Sequence, residues 1–542
     1  MKKMLKVCTL TLLIIGQHLK SETNVIKGGT LRTNLTTVPT TLNPFSATDA
    51  YSDEVHAYVF DTLLYKDPET QEFKLSLAKS YQVDKNGKYI DFTLRDNAIF
   101  SDGKPVTCAD IQFTFNAIMD PKDRYKTAAK KSFFENFDRV DILKPYECRF
   151  VIKKAYYKNL DVAGGLGIIP KHIYENKFND KNLNKTVVGS GPYILSEFDR
   201  SKQIVLKKNP KWWGNNLKEF SDIYNFDKIQ MRFVAEENVS FTAFEKGEFD
   251  IIDGGSGFTI EAFMKKTNGP KWGKSVFKEQ VENSAPKGYG FIAFNLKNPK
   301  FTKKTRLALT HLYNREMVTK KFFYGMSVPA IGPVHFKSDY ADPNVKALEF
   351  DPKKSAALLK EDGWKLESGD QLLSKTIDGK KELMTFTILL PSQDFIKYLT
   401  SYQEDAKKIG VGIEIKTIDW NAFIKLIDER KFETAGLGWG ASSTDWEPKQ
   451  IWHSESIANQ GSNFISYNNS EVDQLIDEAR MEMNRDKRIK TLRKVFRLIA
   501  EDAPYIFLFN SKYTLYAYSD KVKRPKPTMK YTLGVNYWST LK

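Results

Sequence analysis

Residues Phe73–Pro121 read FKLSLAKSYQVDKNGKYIDFTLRDNAIFSDGKPVTCADIQFTFNAIMDP. Tyr89–Leu94 alternates in polarity: Ile90, Phe92 and Leu94 fall on one side, and Tyr89, Asp91, Thr93 and then Arg95 on the other. That is the period of a half-buried strand. Asp102-Gly103 supplies a tight turn. Thr107 stands three residues ahead of Asp110, the spacing of a capping box that opens a helix. Behind it Ile111, Phe115, Ile118 and Met119 recur at helical spacing and give that helix one apolar face. The unit is strand, turn, helix, which points to an α/β chain.

The wording of this stretch resembles the signature region of the family 5 extracellular solute-binding proteins, the dipeptide- and oligopeptide-capturing receptors of ABC importers. Four further elements resemble the same family and follow in its order. Val188–Tyr193 (VGSGPY) is similar to its GTGPY element, and Asn209–Gly214 (NPKWWG) to its N-x-x-Y/W-W element. Phe291–Asn295 with Arg306–Leu309 is similar to its crossing into a second lobe, and Ile499–Phe509 to its L-x-E-x-x-P-Y-x-x-L-F element. The five elements run from residue 73 to residue 509, and the resemblance as a whole covers roughly residues 28 to 540. The resemblance implies a two-lobed periplasmic-binding-protein fold of the large peptide-binding type, with two crossover strands at the hinge and an extra subdomain inserted in lobe one. It also implies a protein that binds and releases and performs no chemistry.

Composition agrees with a secreted globular chain. At 542 residues it exceeds the size at which one core keeps growing, so two or more lobes are expected. Lys2, Lys3 and Lys6 precede a short apolar run, Val7–Gly16, which reads as a secretory signal over residues 1–21 and is too short to span a bilayer. Cys8 lies at the very start of that run, two residues after Lys6, and does not read as a lipidation site, so the mature protein is expected free in the periplasm. Losing Lys2, Lys3, Lys6 and Lys20 with the signal takes the net charge from +16 to +12. The remaining basic residues are interleaved with acidic ones, which argues against a nucleic-acid groove. Cys108 and Cys148 remain; a bridge is one reading, and two separately buried thiols are the one expected.

The resemblance divides the chain into lobe one at 22–65, 185–284 and 504–542, an inserted subdomain at 66–184, and lobe two at 285–503. Crossing strands near 285–292 and 503–508 would form a hinge that closes by moving few residues. Ser470 with Asp473 is expected to cap a helix carrying Val472, Leu475, Ile476 and Ala479. Ile489, Leu492, Phe496 and Ile499 stripe the next helix, which Ala503-Pro504 ends. Tyr505–Phe509 reads as a fully buried strand.

Catalytic signatures are missing. The six histidines are dispersed, with no metal-ligand spacing. Gly269–Ser275 (GPKWGKS) is one residue short of a phosphate loop and carries Pro270 where the backbone would cradle the phosphate. No cofactor, metal or catalytic residue is expected. The richest segment is Gly436–His453 (GLGWGASSTDWEPKQIWH), which combines flexible glycines, three tryptophans and a central acid. Glycine lets backbone approach a ligand closely, and tryptophan supplies an apolar wall. The segment resembles a family stretch whose aspartate grips the peptide's α-amino group; the matching residues are Gly438, Trp439, Asp445, Pro448 and Trp452, with Trp446-Glu447 in place of a shorter linker, and ligand contacts are expected at Gly438, Trp439, Asp445 and Trp446. Ser442-Ser443 competes with Asp445 for the acid's place, and a helix N-cap ahead of Pro448 is the other reading of Asp445. Trp420, and Phe45 in the turn Leu42–Phe45, resemble further cleft residues. The expected ligand is a peptide held largely by its main chain, delivered by a monomeric receptor to permease subunits in the inner membrane. Receptors of the same fold for an oligosaccharide or a nickel chelate, and a secreted enzyme or scaffold, are the alternatives.

Overall fold

The computed structural model describes residues 25–541 apart from 48, 179–180, 186, 256–257, 442, 459–461 and 527. The expected signal and Ser442 lie outside the described residues.

Tyr89–Leu94 is a strand whose burial alternates residue by residue, with Ile90, Phe92 and Leu94 each about 1% exposed. It pairs with Ala78–Val83 and Glu147–Ile152, and Phe137–Lys144 completes a four-stranded antiparallel sheet. The helix Cys108–Ile118 covers that sheet with Ile111, Phe115 and Ile118. Its first turn is fixed by Asp110, whose carboxylate accepts from both the amide and the hydroxyl of Thr107, each at 2.9 Å. Cys108 begins this helix directly over the inward-facing Cys148, and the two form a disulfide. This corrects the expectation of two free thiols: the helix start falls on the sheet with a Cα separation of 5.6 Å, a distance a bridge spans.

Two motifs tie this sheet to a second one, in which Thr30–Leu35 runs parallel to Lys228–Phe233, followed by Gln203–Lys208 and Tyr193–Asp199. In VGSGPY the backbone passes against the helix Ala50–Val59. A Cβ on Gly189 would lie 2.0 Å from the Val59 carbonyl oxygen, so only glycine fits. In NPKWWG both indole N–H groups, Trp212 at 3.0 Å and Trp213 at 2.6 Å, donate to one oxygen of the buried Asp61. Burial pushes the Asp61 carboxyl up to about 7. Near the chain's end, Thr514–Ser519 inserts between Ile251–Asp253 and Val276–Val281 in a three-stranded sheet.

The other lobe is built on a five-stranded sheet. Its order is Gly412–Thr417, Thr385–Leu390, Thr434–Trp439, Tyr289–Phe294 and Tyr505–Phe507. Tyr289–Phe294 is antiparallel to both its neighbours and covered on both faces, which explains its unbroken apolar run. Phe291 and Ala293 face one hydrophobic cluster, and Ile292 and Phe294 face another. Where the chain enters this strand, a Cβ on Gly288 would meet the Trp439 carbonyl oxygen at 1.9 Å.

Two local expectations shift. The helix Ser470–Met481 is capped by Asn469, whose side chain accepts from the amides of Glu471 and Val472; Asp473 instead binds the Ser454 amide and hydroxyl. The run after Pro504 is two short strands, Tyr505–Phe507 and Phe509–Ser511; the second leaves the large sheet to pair with Ser327–Pro329. The striped helix Arg485–Asp502 buries Ile489, Leu492, Phe496 and Ile499, and ends in a left-handed Ala503 before Pro504.

Candidate functional site

Strand direction locates the site, because in open α/β sheets ligands bind outside the carboxyl ends of parallel strands. In the five-stranded sheet the parallel strands end at Leu390, Thr417 and Trp439. Gly438, Trp439, Trp420, Asp445 and Trp446 all stand on or just beyond those ends. In the other lobe, Thr30–Leu35 leads to the turn at Phe45 and the helix Ala50–Val59, and Ile251–Asp253 ends at Asp253.

Gly438 pairs with Gly290 across the ladder, so neither backbone carries a side chain there. Trp439 is half-buried. Its indole N–H donates to the Tyr505 hydroxyl at 3.3 Å, and its ring lies 6.0 Å from Phe291, which stacks on Tyr505 at 4.0 Å. One face of Trp439 therefore belongs to the core. Trp420 opens the helix Trp420–Asp428, stacks on Phe423 and is 53% exposed. Trp446 is half-buried against the core below the same loop.

Phe45 departs from expectation. It is 1% exposed and packs on Phe113, Tyr125 and Tyr174. The Asn43 side chain accepts from the Phe45 amide and turns the ring inward, where it helps line a cavity of about 410 Å³ inside this lobe. It is a core residue of the turn.

Asp445 stands among cations. Its Oδ1 accepts from the Tyr340 hydroxyl at 2.8 Å, with Arg485 at 3.8 Å and Arg488 at 4.0 Å. Lys158 donates to its main-chain oxygen at 3.3 Å. A carboxylate so compensated has less attraction left for an incoming ammonium than the resemblance implies. It is not a helix cap, since the neighbouring Glu447 carboxylate accepts from the Lys449 amide.

Sequence reading missed three groups. Tyr156, Tyr157 and Lys158 reach across to the 445–447 loop, and nothing in the run KKAYYKN marks them apart from surface. Glu447 joins that contact. Glu54, on the helix Ala50–Val59, is open to solvent, yet burial and then Asp253 push its carboxyl up to about 7. Burial lowers the Lys158 ammonium and raises Tyr157 well above its ordinary value.

Two α/β lobes joined by crossing strands, with strand ends facing a cleft and side chains meeting across it, define a solute-binding protein of the periplasmic-binding type. The chain belongs to the bacterial extracellular solute-binding proteins, family 5: the model of that family's middle region matches residues 72–462. Over 509 residues it is 27% identical to the oligopeptide-binding protein AppA of Bacillus subtilis, covering 90% of this chain and 88% of that one. It is 24% identical to the probable peptide-binding protein YejA of Agrobacterium fabrum over 580 residues, 96% of this chain and 90% of that one. The structure of Bacillus subtilis AppA in complex with a nonapeptide matches with a TM-score of 0.81 at 25% identity, over 96% of this chain and 100% of that one. NikZ of Campylobacter jejuni, in complex with Ni(L-His), matches at 0.79 and 23% identity over 94% and 99%, a likeness of fold alone.

Proposed function

We propose that this chain is a periplasmic peptide receptor that passes its cargo to the permease subunits of an ABC importer in the inner membrane. The observation that carries the reading is the near full-length likeness to AppA, a protein seen holding a nonapeptide. Lobe one is taken as 22–65, 185–284 and 504–542 with 66–184 inserted, and lobe two as 285–503. After loss of a signal near Ser21 the receptor works as a free monomer and turns nothing over. Trp439 and Trp420 supply apolar surface on the lobe-two wall, and the side-chain-free Gly438 and Gly440 leave main chain open to a ligand bound as an added strand. Glu54 gives the facing wall a negative charge that is half-formed at about pH 7 and grows above it.

Mass spectrometry of ligand released from freshly purified protein, followed by thermal melts with di- to nonapeptides, tests this. A ligand bridging both lobes stabilises by RT ln(1 + [L]/Kd), on the order of 3 kcal/mol at a hundredfold excess over Kd. Peptides should raise the melt and be recovered intact. A shift with nickel-histidine or an oligosaccharide alone, or cleaved peptide, would overturn the proposal.

A further inference from the structure

Residues 153–158 leave the strand Glu147–Ile152, and the helix that follows, Asn159–Gly164, packs Leu160, Val162 and Ala163 into the same cluster as the four-stranded sheet. The segment therefore moves with the inserted subdomain. Its side chains nevertheless end on the other lobe. Tyr156 donates to the Glu447 carboxylate at 2.5 Å, Tyr157 to the Trp446 carbonyl at 2.9 Å, and the Tyr157 amide to the Arg480 carbonyl at 3.0 Å. The Arg480 guanidinium lies over the Tyr156 ring at 4.5 Å, and that of Arg488 over the Tyr157 ring at 3.9 Å. Tyr156 is 5% exposed.

Two properties mark this contact as one made to be broken. The bonds across it run from two tyrosines to main-chain and charged groups, and Tyr156 and Tyr157 belong to neither of the flanking apolar clusters. The lobe-two charges beneath the tyrosines keep partners of their own when the tyrosines leave. Glu447 retains Arg480 at 3.2 Å and the Lys449 amide, and Arg488 retains the Glu482 carbonyl at 2.9 Å. No charge is left buried and alone, which is what makes separating ion pairs costly elsewhere.

We propose that Tyr156 and Tyr157 form a latch that holds the two lobes shut over bound solute, and that its strength sets how fast the solute is released. Only the closed form makes these bonds, so they shift the population toward it, and the apparent affinity for solute rises with the closed fraction. The proposal rests on the receptor reading for its ligand and not for its geometry.

The test compares wild type with Tyr156→Phe, which deletes one hydroxyl without opening a cavity, and with Tyr157→Ala. Small-angle scattering reports closure with and without an equimolar nonapeptide library; stopped-flow fluorescence reports release of that library. The variants should release at least about tenfold faster at an unchanged association rate, with a larger radius of gyration in at least one of the two states. Glu447→Gln combined with Tyr156→Phe should lose less than the two single changes summed, since both cut the same bond. Equal radii in both states together with unchanged release overturns the latch. If the library binds neither protein, the peptide reading fails, and equal radii in the unliganded pair then overturn the latch on their own.

Discussion

Blocking the amino end of a bound peptide should cost this receptor little. An ammonium about 3 Å from the Asp445 carboxylate would gain about 5.5 kcal/mol at an effective dielectric near 20. Arg485 and Arg488 already stand 3.8 and 4.0 Å from that carboxylate's Oδ1. An ammonium arriving from the open side would lie about 6 Å from each guanidinium, and each would oppose it by about 2.8 kcal/mol on the same scale. The two repulsions together match the attraction, before Lys158 is counted. We therefore expect a nonapeptide with a free amino end and its N-acetylated form to bind within about threefold of each other by isothermal titration calorimetry, each tenfold being worth about 1.4 kcal/mol. Asp445→Asn should leave both affinities within the same range. It should lower the melting temperature, because Arg488 is 5% exposed and loses a counter-charge, a loss of about 1–3 kcal/mol. A hundredfold loss on acetylation that vanishes in Asp445→Asn would refute the reasoning and restore the ammonium grip.

Three further outcomes concern the frame. The Asp61 carboxyl rises from 3.8 to about 7 on folding, so the native state binds a proton the unfolded chain lacks in that window. Its contribution is present below about pH 4 and lost as pH rises to about 7, by about 4 kcal/mol in all. Asp61→Asn should flatten the stability profile of denaturant melts between those pH values, and profiles that stay parallel to wild type count against it. The Cys108–Cys148 bridge closes a separation of 40 residues, worth about 4 kcal/mol in the chain-entropy account; dithiothreitol should bring the wild-type melting temperature down to that of Cys108→Ala/Cys148→Ala, and insensitivity to reductant would contradict the bridge. Gly288→Ala must displace the Trp439 carbonyl and should cost about 2 kcal/mol or more, in the range of overpacked sites, whereas Gly440→Ala, whose added carbon meets nothing within 4 Å, should melt like wild type; equal melts for the two variants would contradict the close approach.

What could be read from sequence was whatever local periodicity or backbone crowding dictates. Tyr89–Leu94 alternates because one face is buried and one is wet, and Arg485–Asp502 is striped because one side packs on the large sheet. The glycines of VGSGPY and the tryptophans of NPKWWG are legible as motifs because each answers a fixed neighbour, the Val59 carbonyl and the Asp61 carboxylate. Trp439, Gly438 and Trp420 were singled out by resemblance alone, and the structure places them on or just beyond the ends of parallel strands. Asp445 did not yield to the same reading. Its hydrogen-bond partner Tyr340 lies 105 residues away, and Arg485 and Arg488 sit on a helix whose polar face carries no local signal of what it meets. The disulfide was hidden for a like reason, since it depends on where a helix start lands over a sheet. The cap at Asn469 was missed because Asp473, its rival, is claimed by Ser454 in a neighbouring loop.

Stability and closure are separable in this molecule, and that follows from where its bonds lie. Asp61 and the disulfide hold lobe one together from inside its own clusters: Asp61 through Trp212 and Trp213, and the disulfide between helix Cys108–Ile118 and strand Glu147–Ile152. The bonds of Tyr156 and Tyr157 run the other way, from the segment after Glu147–Ile152 to Glu447, Trp446 and Arg480. A change to the first set should shift melting without altering solute release, and a change to the second should do the reverse. Gly288 is the exception. It stands where the chain crosses between lobes and presses on the carbonyl of Trp439, a wall residue of the proposed site. Its substitution should disturb melting and binding together, which would mark the crossing as the place where the frame and the cleft are mechanically one.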